Sequence, residues 1–454
     1  MGNRYGGCQH LPRESEYMAS HSTAMDTPNA VIATGAASRQ AKVRALRGIK
    51  NASYLALGNI ASQAVSLVGF TYIARMLGPN DYGIYVTVGA FVGMFDILLL
   101  GGLGKVIVRE GSRDLSSMHE TLEKTIALRN ILILLAIVVC IASCFFTPYE
   151  LHTKLYILLF SLQLVYTGLN GFLGTIYQAS EKMQYLAILN IANRTVCVGL
   201  SLVYLYYGGG LLALFLILLA SNLLTLAVNY RKSQDIVPFR FFSRIQFDKR
   251  LMKSALVFSL VGFIGLFTSR IDVLMISFLG VAKHVGVYGV AYKIAQQGEM
   301  LRNVCAVAFF PILVKRFHGG TVRTATLFRY SLFFFGGIFT LSLVASFFAE
   351  GAITFLFGPE YRESGHILRV LIFYLAFSWA TLPLTSTLQA THNERHLIIP
   401  TLTMGGLNIA LNYVLFMRYG IIGIAYSTLT VESVGCLVYC LISFTVLRRQ
   451  RYLV

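Results

Sequence analysis

Apolar residues in this chain come in long runs, not in the alternation of a half-buried strand or the narrow stripe of a surface helix. A bilayer core about 30 Å thick is crossed by about 20 apolar residues in a helix. Twelve runs meet that length, roughly 53–76, 83–104, 126–146, 155–178, 186–207, 209–229, 254–279, 286–314, 327–348, 367–390, 397–417 and 421–446. A membrane barrel would need short alternating segments instead. The pattern predicts an all-α integral membrane protein of twelve transmembrane helices.

The gaps carry the orientation. With the N-terminus inside, the inner gaps hold Arg39 to Lys50, Lys105, Arg109, Arg113, Lys124, Arg129, Lys182, the cluster Arg231 to Lys253, Lys315 to Arg329, Arg395, and Arg448 to Arg451. The outer gaps hold only Arg75, Lys154, Lys283, Arg362 and Arg418. Gaps rich in Lys and Arg stay cytoplasmic, so both termini are expected there.

The chain also repeats itself. QASEKMQYL (178–186) after span 4 is echoed by QATHNERHL (389–397) after span 10, and Tyr207-Gly208 by Tyr419-Gly420. LGPNDYGIY (77–85) is echoed by LGVAKHVGVY (279–288). Each half then holds six helices. An even number gives both halves the same orientation, a parallel repeat about an axis along the membrane normal. The expected organisation is a disordered cytoplasmic tail (1–48), an N-terminal bundle (49–232), a basic cytoplasmic linker (233–252), a C-terminal bundle (253–447) and a basic tail (448–454).

Composition agrees. The 454 residues are 56 % hydrophobic and 13 % charged, with mean hydropathy +0.65; soluble domains run near a quarter charged. A net charge of +18 would ordinarily raise nucleic-acid binding. Here the basic residues sit in the gaps between spans, so membrane orientation explains them and no nucleic-acid partner is expected. The start lacks an apolar signal segment, and MGNRYG fails the myristoylation pattern at position 6. Translation from Met18 or Met25 would shorten the tail. Six of seven cysteines fall in apolar runs with no CxxC or Cys/His zinc spacing, so no metal is expected. No phosphate loop and no HExxH occur. Asn193-Arg194-Thr195 matches a glycosylation sequon but lies within a span.

Eight charged residues fall well within the runs, away from their ends: Asp96, Arg194, Arg270, Asp272, Lys293, Glu299, Arg302 and Glu432. Each costs at least about 2.5 kcal/mol near a helix centre unless it is paired or wet. In span 8, Lys293, Gln296, Gln297, Glu299, Arg302 and Asn303 share one wide arc at 100° per residue. The alternative for Glu299 and Arg302 is a local pair three residues apart. The offset that carries Gly83 to Gly286 also carries Asp96 to Glu299, two carboxylates suited to ion coupling or to a counter-charge, or alternatively to helix packing. Arg270 and Asp272 point about 200° apart and cannot pair with each other. We expect Arg270, with Lys293, Arg302 and Arg194, to line a central cavity and attract an anionic headgroup, because guanidinium binds phosphate oxygens in pairs. The alternative is inter-helix bridging, such as Arg270 to Asp96. Asp96, Asp272, Glu299 and Glu432 are the candidate coupling or counter-charge groups.

LGPNDYG (77–83), LFGPEY (356–361), QATHNER (389–395) and YGIIGIA (419–425), in this order on twelve spans, resemble the polysaccharide-biosynthesis flippases of the multidrug/oligosaccharidyl-lipid/polysaccharide superfamily. The resemblance covers about residues 49–447. It implies two six-helix bundles in a V, working by alternating access. It further implies that an undecaprenyl-diphosphate-linked oligosaccharide (an O-antigen, capsule or exopolysaccharide repeat unit) moves from the inner to the outer leaflet of a bacterial cytoplasmic membrane. Helices 1, 2, 7 and 8 line the cavity in that superfamily, which would place Asp96, Arg270, Asp272, Lys293, Glu299 and Arg302 there. The resemblance implies no cofactor and no enzyme activity, and a proton or sodium gradient as drive. The implied partners are the lipid-linked oligosaccharide, membrane lipids, and polysaccharide polymerase and chain-length proteins. The rivals are a drug or cation antiporter of the same superfamily, a lipid II flippase, which normally carries two further helices, and a membrane glycosyltransferase or polymerase. For the last, the longest outer gap, about 349–366, is too short to hold a catalytic domain.

Overall fold

The computed structural model describes residues 28–99, 115–241, 270–318, 324–391 and 393–449, with Gly104, Ile107, Val108 and Gly111 between the first two stretches. Contacts divide the chain into a short N-terminal unit, Met1–Tyr54, and a body, Leu55–Val454, which holds every feature discussed below. No strand occurs among the described residues. In hydrocarbon each backbone N–H and C=O must find its partner inside its own helix, which is why long apolar runs become helices.

The first-half helices are α1 (Pro28–Met94), α2 (Asp96–Leu99), α3 (Leu115–Phe145), α4 (Leu151–Phe160), α5 (Gln163–Ala179), α6 (Met183–Tyr206) and α7 (Leu211–Gln234). The second half follows with α8, described over 270–279, α9 (Ala282–His318) and α10 (Thr324–Phe357). A short 3-10 turn (Pro359–Tyr361) leads into α11 (Arg362–Leu371), α12 (Tyr374–Ala390), α13 (Ile398–Tyr419) and α14 (Ile421–Arg449). Nine stretches among the described residues are long and apolar enough to cross a bilayer. The expected spans 53–76 and 83–104 both overlap one such stretch, Ile60–Leu99. Most of 254–279 lies outside the described residues, and 286–314 falls in α9, which is helical but carries Lys293, Glu299 and Arg302.

Two expectations are corrected. The tail expected to be disordered over 1–48 is helical from Pro28, where Ala, Arg, Lys and Gln, all good helix formers, dominate; residues 1–27 lie outside the described residues. The linker expected from 233 begins as a docked segment. Val237 and Phe239 are buried in the first-half core, because this stretch is as apolar as it is basic. Gln234 Nε2 donates to the Phe239 carbonyl at 2.6 Å, and Asn130 Nδ2 to that of Phe241 at 2.8 Å. The rest of the linker, 242–252, and residues 450–454 of the C-terminal tail lie outside the described residues.

The internal repeat is visible in the backbone. The fourth span of the first half breaks after Phe160, and its counterpart breaks after Leu371. At the end of the first span the chain turns sharply at Gly78 (φ 73°), followed by Pro79. Gly358 (φ 99°), followed by Pro359, makes a similar corner after α10, though the repeat pairs Gly78 with Gly280 and not with Gly358. Only glycine takes this conformation without strain, and proline then starts the next helix.

The halves meet where these corners meet. A Cβ on Gly83 would overlap the carbonyl oxygen of Ala282, and one on Gly286 would overlap that of Pro79. Each carbonyl lies four residues before the partner's glycine, so the contact is reciprocal. Close helix crossings in membranes depend on such small residues. Beside the crossing, the buried Tyr361 hydroxyl donates to the Ala74 carbonyl at 2.7 Å. Phe70 lies 5.2 Å from Phe357, and Tyr82 packs edge-on to Tyr361 at 6.5 Å. Ser364 Oγ donates to the Val287 carbonyl at 2.7 Å.

Overpacking at such a crossing costs about 1–3 kcal/mol. Gly286→Val is therefore expected to lower thermal stability in detergent. Gly336→Val is expected to leave it unchanged, since nothing lies within 4 Å of a Cβ there. A melting series on both variants measures the difference.

Candidate functional site

Behind the crossing lies a cavity of about 580 Å³ between the halves. Its first-half wall comes from α1, with Gln63 and Ser66 before the Gly78 corner and Tyr85, Val86 and Gly89 after it, and from Arg194 on α6. Its second-half wall comes from Arg270 on α8 and from Tyr292, Lys293 and Gln296 on α9. Three of the four basic residues expected at a cavity thus converge on it. Lys293 feels the positive charge of both Arg194 and Arg270. Lys293 Nζ donates to Gln296 Oε1 at 3.2 Å. Among the described residues, neither Arg194 nor Lys293 has a carboxylate within 4 Å.

Arg270 reaches across the boundary between the halves. Its Nη1 donates to the Gly89 carbonyl at 3.3 Å, and a side chain at Gly93 would overlap its guanidinium. Asp96, within hydrogen-bonding reach of Thr167, is Arg270's nearby counter-charge. Arg270 thus lines the cavity and hydrogen-bonds to the first-half backbone, while no Arg270–Asp96 ion pair within 4 Å forms among the described residues. Three cations against one carboxylate leave the cavity net positive.

Arg302 does not join them. It lies nine residues from Lys293, which is half a turn around α9, so it faces the second-half bundle. Its Nε donates to the Ser378 carbonyl at 2.8 Å and its Nη2 to Thr381 Oγ1 at 3.0 Å. Glu299 Oε2 sits 3.9 Å from Arg302 Nη1, so the local pair is the arrangement adopted. Asp96 and Glu299 occupy matching positions in the repeat but are not matched in partners. One faces Arg270 from the other half, and the other faces Arg302 on its own helix.

Asp272 also leaves the cavity, as its 200° separation from Arg270 requires. It is buried inside the second half, where its carboxylate accepts three hydrogen bonds: from Tyr288 Oη at 2.9 Å, Asn412 Nδ2 at 2.8 Å and Thr428 Oγ1 at 3.0 Å. Asn412 also donates to Asn408 Oδ1 at 3.0 Å. Glu432, on α14, lies within electrostatic reach of Glu299, Arg302 and Asp272. The second half thus encloses three carboxylates and one arginine. Among the described residues, Glu299 Oε1 and Asn412 Oδ1 are buried with no protein partner.

Sequence reasoning missed the neutral members of both sites. Gln63, Ser66 and Tyr85 give no charge signal. The pair Asn408 and Asn412, four apart on one face of an apolar helix, was a signal available in the sequence. Arg129 was read as an inner-gap charge. It is instead buried within the first half, donating through Nε to the Gly168 carbonyl at 3.0 Å and through Nη1 to the Leu99 carbonyl at the end of α2.

With the geometry in hand, comparison with known proteins is specific. The family described as polysaccharide biosynthesis protein matches residues 49–317. A curated relative from Haloferax volcanii, "Probable low-salt glycan biosynthesis flippase Agl15", is 24 % identical over 392 residues, covering 82 % of this chain and 79 % of its own. Among solved structures, an inward closed lipid II flippase MurJ superposes with a TM-score of 0.67 at 16 % identity, over 86 % of this chain and 87 % of its own. A multidrug resistance transporter of the MATE family and MOP superfamily, inward-facing, gives 0.68 at 16 % identity over 85 % and 95 %. An outward-facing conformation of a MATE transporter gives 0.59 at 14 % identity over 88 % and 96 %. These likenesses establish the fold.

Removing one partner of a buried, hydrogen-bonded charge costs about 1–3 kcal/mol or more. Asn412→Leu, which leaves Asp272 with two donors, is expected to lower the melting temperature of the purified protein. Ser346→Ala, on the exposed face of α10, is expected to leave it in place.

Proposed function

Because the chain belongs to the polysaccharide biosynthesis protein family, we propose that it is a flippase for a polyprenyl-diphosphate-linked oligosaccharide, moving the headgroup between leaflets by alternating access. The observation that carries this reading is the convergence of Arg194, Arg270 and Lys293 on one cavity between the halves. A diphosphate leaving water loses its hydration, and a net positive, polar-walled cavity offsets that loss with charge-assisted hydrogen bonds. A cavity of about 580 Å³ holds a headgroup, and the lipid tail stays in the bilayer outside it. Rocking of the halves about the Gly83/Gly286 crossing would open the other face.

The family description and the names of its relatives support a glycan-linked cargo over a cationic drug, for which a net positive cavity is unsuited. In a bacterial cell the carrier would be undecaprenyl diphosphate and the movement inner to outer leaflet of the cytoplasmic membrane. A polymerase and chain-length proteins would then act downstream.

Asp272 is the coupling group in this reading. A buried carboxylate within the second half, ringed by neutral donors, can take up a proton or a sodium ion and so change the charge its helices enclose. Glu299 and Glu432, close by, raise the benefit of a bound cation.

The test is complementation of a strain lacking this gene, reading surface glycan beside membrane abundance. The parent restores the glycan. Arg270→Ala and Lys293→Ala insert normally and lose at least about tenfold of the glycan, the effect of roughly 1.4 kcal/mol at a phosphate contact. Asp272→Asn loses transport while still binding the lipid-linked substrate. A deletion that keeps its glycan and becomes sensitive to cationic drugs would overturn the proposal in favour of drug efflux.

A further inference from the structure

A second cavity, of about 450 Å³, lies on the other side of α1 from the first. After the Gly78 corner, α1 sends Tyr82, Tyr85, Val86 and Gly89 to the central cavity, and Asn80, Ile84 and Thr87 to this one. The remaining walls are the segment 148–153, the end of α8 and the start of α9. These are the gaps that the charge pattern assigns to the outer side. The Gly83/Gly286 crossing is the partition between the two cavities, so parting the halves there would join them.

Its chemistry differs from that of the central cavity. No lysine or arginine lines it among the described residues. Its one acid, Glu150, sits 3.3 Å from His152 Nδ1, so the carboxylate is shared within the protein. Phe278 is 43 % exposed. Tyr149 stacks flat against it, with ring centroids 5.5 Å apart and planes within 7°. The Tyr149 hydroxyl is itself anchored to Ser277 Oγ at 2.7 Å, which fixes the aromatic pair in place. Asn80 and Thr87 supply neutral hydrogen-bonding groups around it, and His152 an imidazole.

An anion would find no cation here, a cationic drug no unshared carboxylate, and a lipid tail no continuous apolar wall. A sugar ring matches on both counts, since its C–H face packs on an aromatic ring and its hydroxyls bond neutral polar groups at the rim. We propose that this outer cavity is a saccharide subsite, which takes sugar residues of the cargo as the partition opens and draws them to the outer side. The inference rests on the flippase reading above, and adds a glycan-recognising site separate from the diphosphate site.

The test measures lipid binding to the full-length protein in nanodiscs, with two probes: polyprenyl diphosphate without sugar, and lipid-linked oligosaccharide extracted from membranes of the source cells. The parent is expected to bind the glycosylated lipid more tightly. Phe278→Ala and, independently, Asn80→Ala are expected to reduce that preference by roughly two- to tenfold, the scale of one aromatic or hydrogen-bonded contact, while leaving the sugar-free affinity in place. Arg270→Ala is expected to weaken both probes. A parent with no preference for the glycosylated lipid, or variants that keep the preference in full, would overturn the saccharide subsite alone. A parent that binds neither probe would overturn the flippase reading itself.

Discussion

Everything functional in this molecule is arranged around two glycines that touch. Gly83 and Gly286 let the two halves approach until each backbone carbonyl sits where the other's side chain would be. The packing is tight because van der Waals contact, not the hydrophobic effect, holds helices together in lipid. The crossing is flanked by the Tyr361–Ala74 hydrogen bond and a small cluster of rings, and one buried apolar cluster runs through it from the first half into the second. The crossing holds the halves in register, and it separates a basic cavity on one side from a neutral, aromatic-walled one on the other.

Two kinds of buried charge follow from that arrangement. Arg194, Arg270 and Lys293 face a cavity, mostly without acidic partners, which is a costly state that an anionic ligand would relieve. Asp272 is the reverse case. It is buried and accepts three hydrogen bonds, away from the cavity, two residues from Arg270 and on the opposite face of α8. One short segment of α8 thus presents Arg270 to the cavity on one side and the buried carboxylate of Asp272 to the second-half interior on the other. A change in charge at Asp272 has only a rigid helix between it and Arg270, which gives coupling a direct physical route.

The sequence determined the membrane class, the helical nature of the chain, the doubling of the fold and which charges stand inside apolar runs. Length and polarity suffice for these. A run of some twenty apolar residues has one stable form in lipid, and a charge within it is costly enough to mark a site. The offset that pairs Gly83 with Gly286 was also legible, because the motifs that carry it lie in polar corners where glycine, proline and tyrosine stand out.

Only the tertiary structure decided which charges meet. The arc of Lys293, Glu299 and Arg302 on one helix spans half its circumference, and periodicity alone could not say that a neighbouring helix would claim Arg302 through Ser378 and Thr381. Nor could it say that Asp272 would find Tyr288, Asn412 and Thr428, residues 16 to 156 positions away. Neutral side chains carry no cost large enough to be noticed in an apolar run, so Gln63, Ser66 and the aromatic pair Tyr149 and Phe278 became site residues only once the helices were packed. Sequence fixes the price of placing a charge in the membrane; the partner that makes the placement tolerable is a property of the assembled helices.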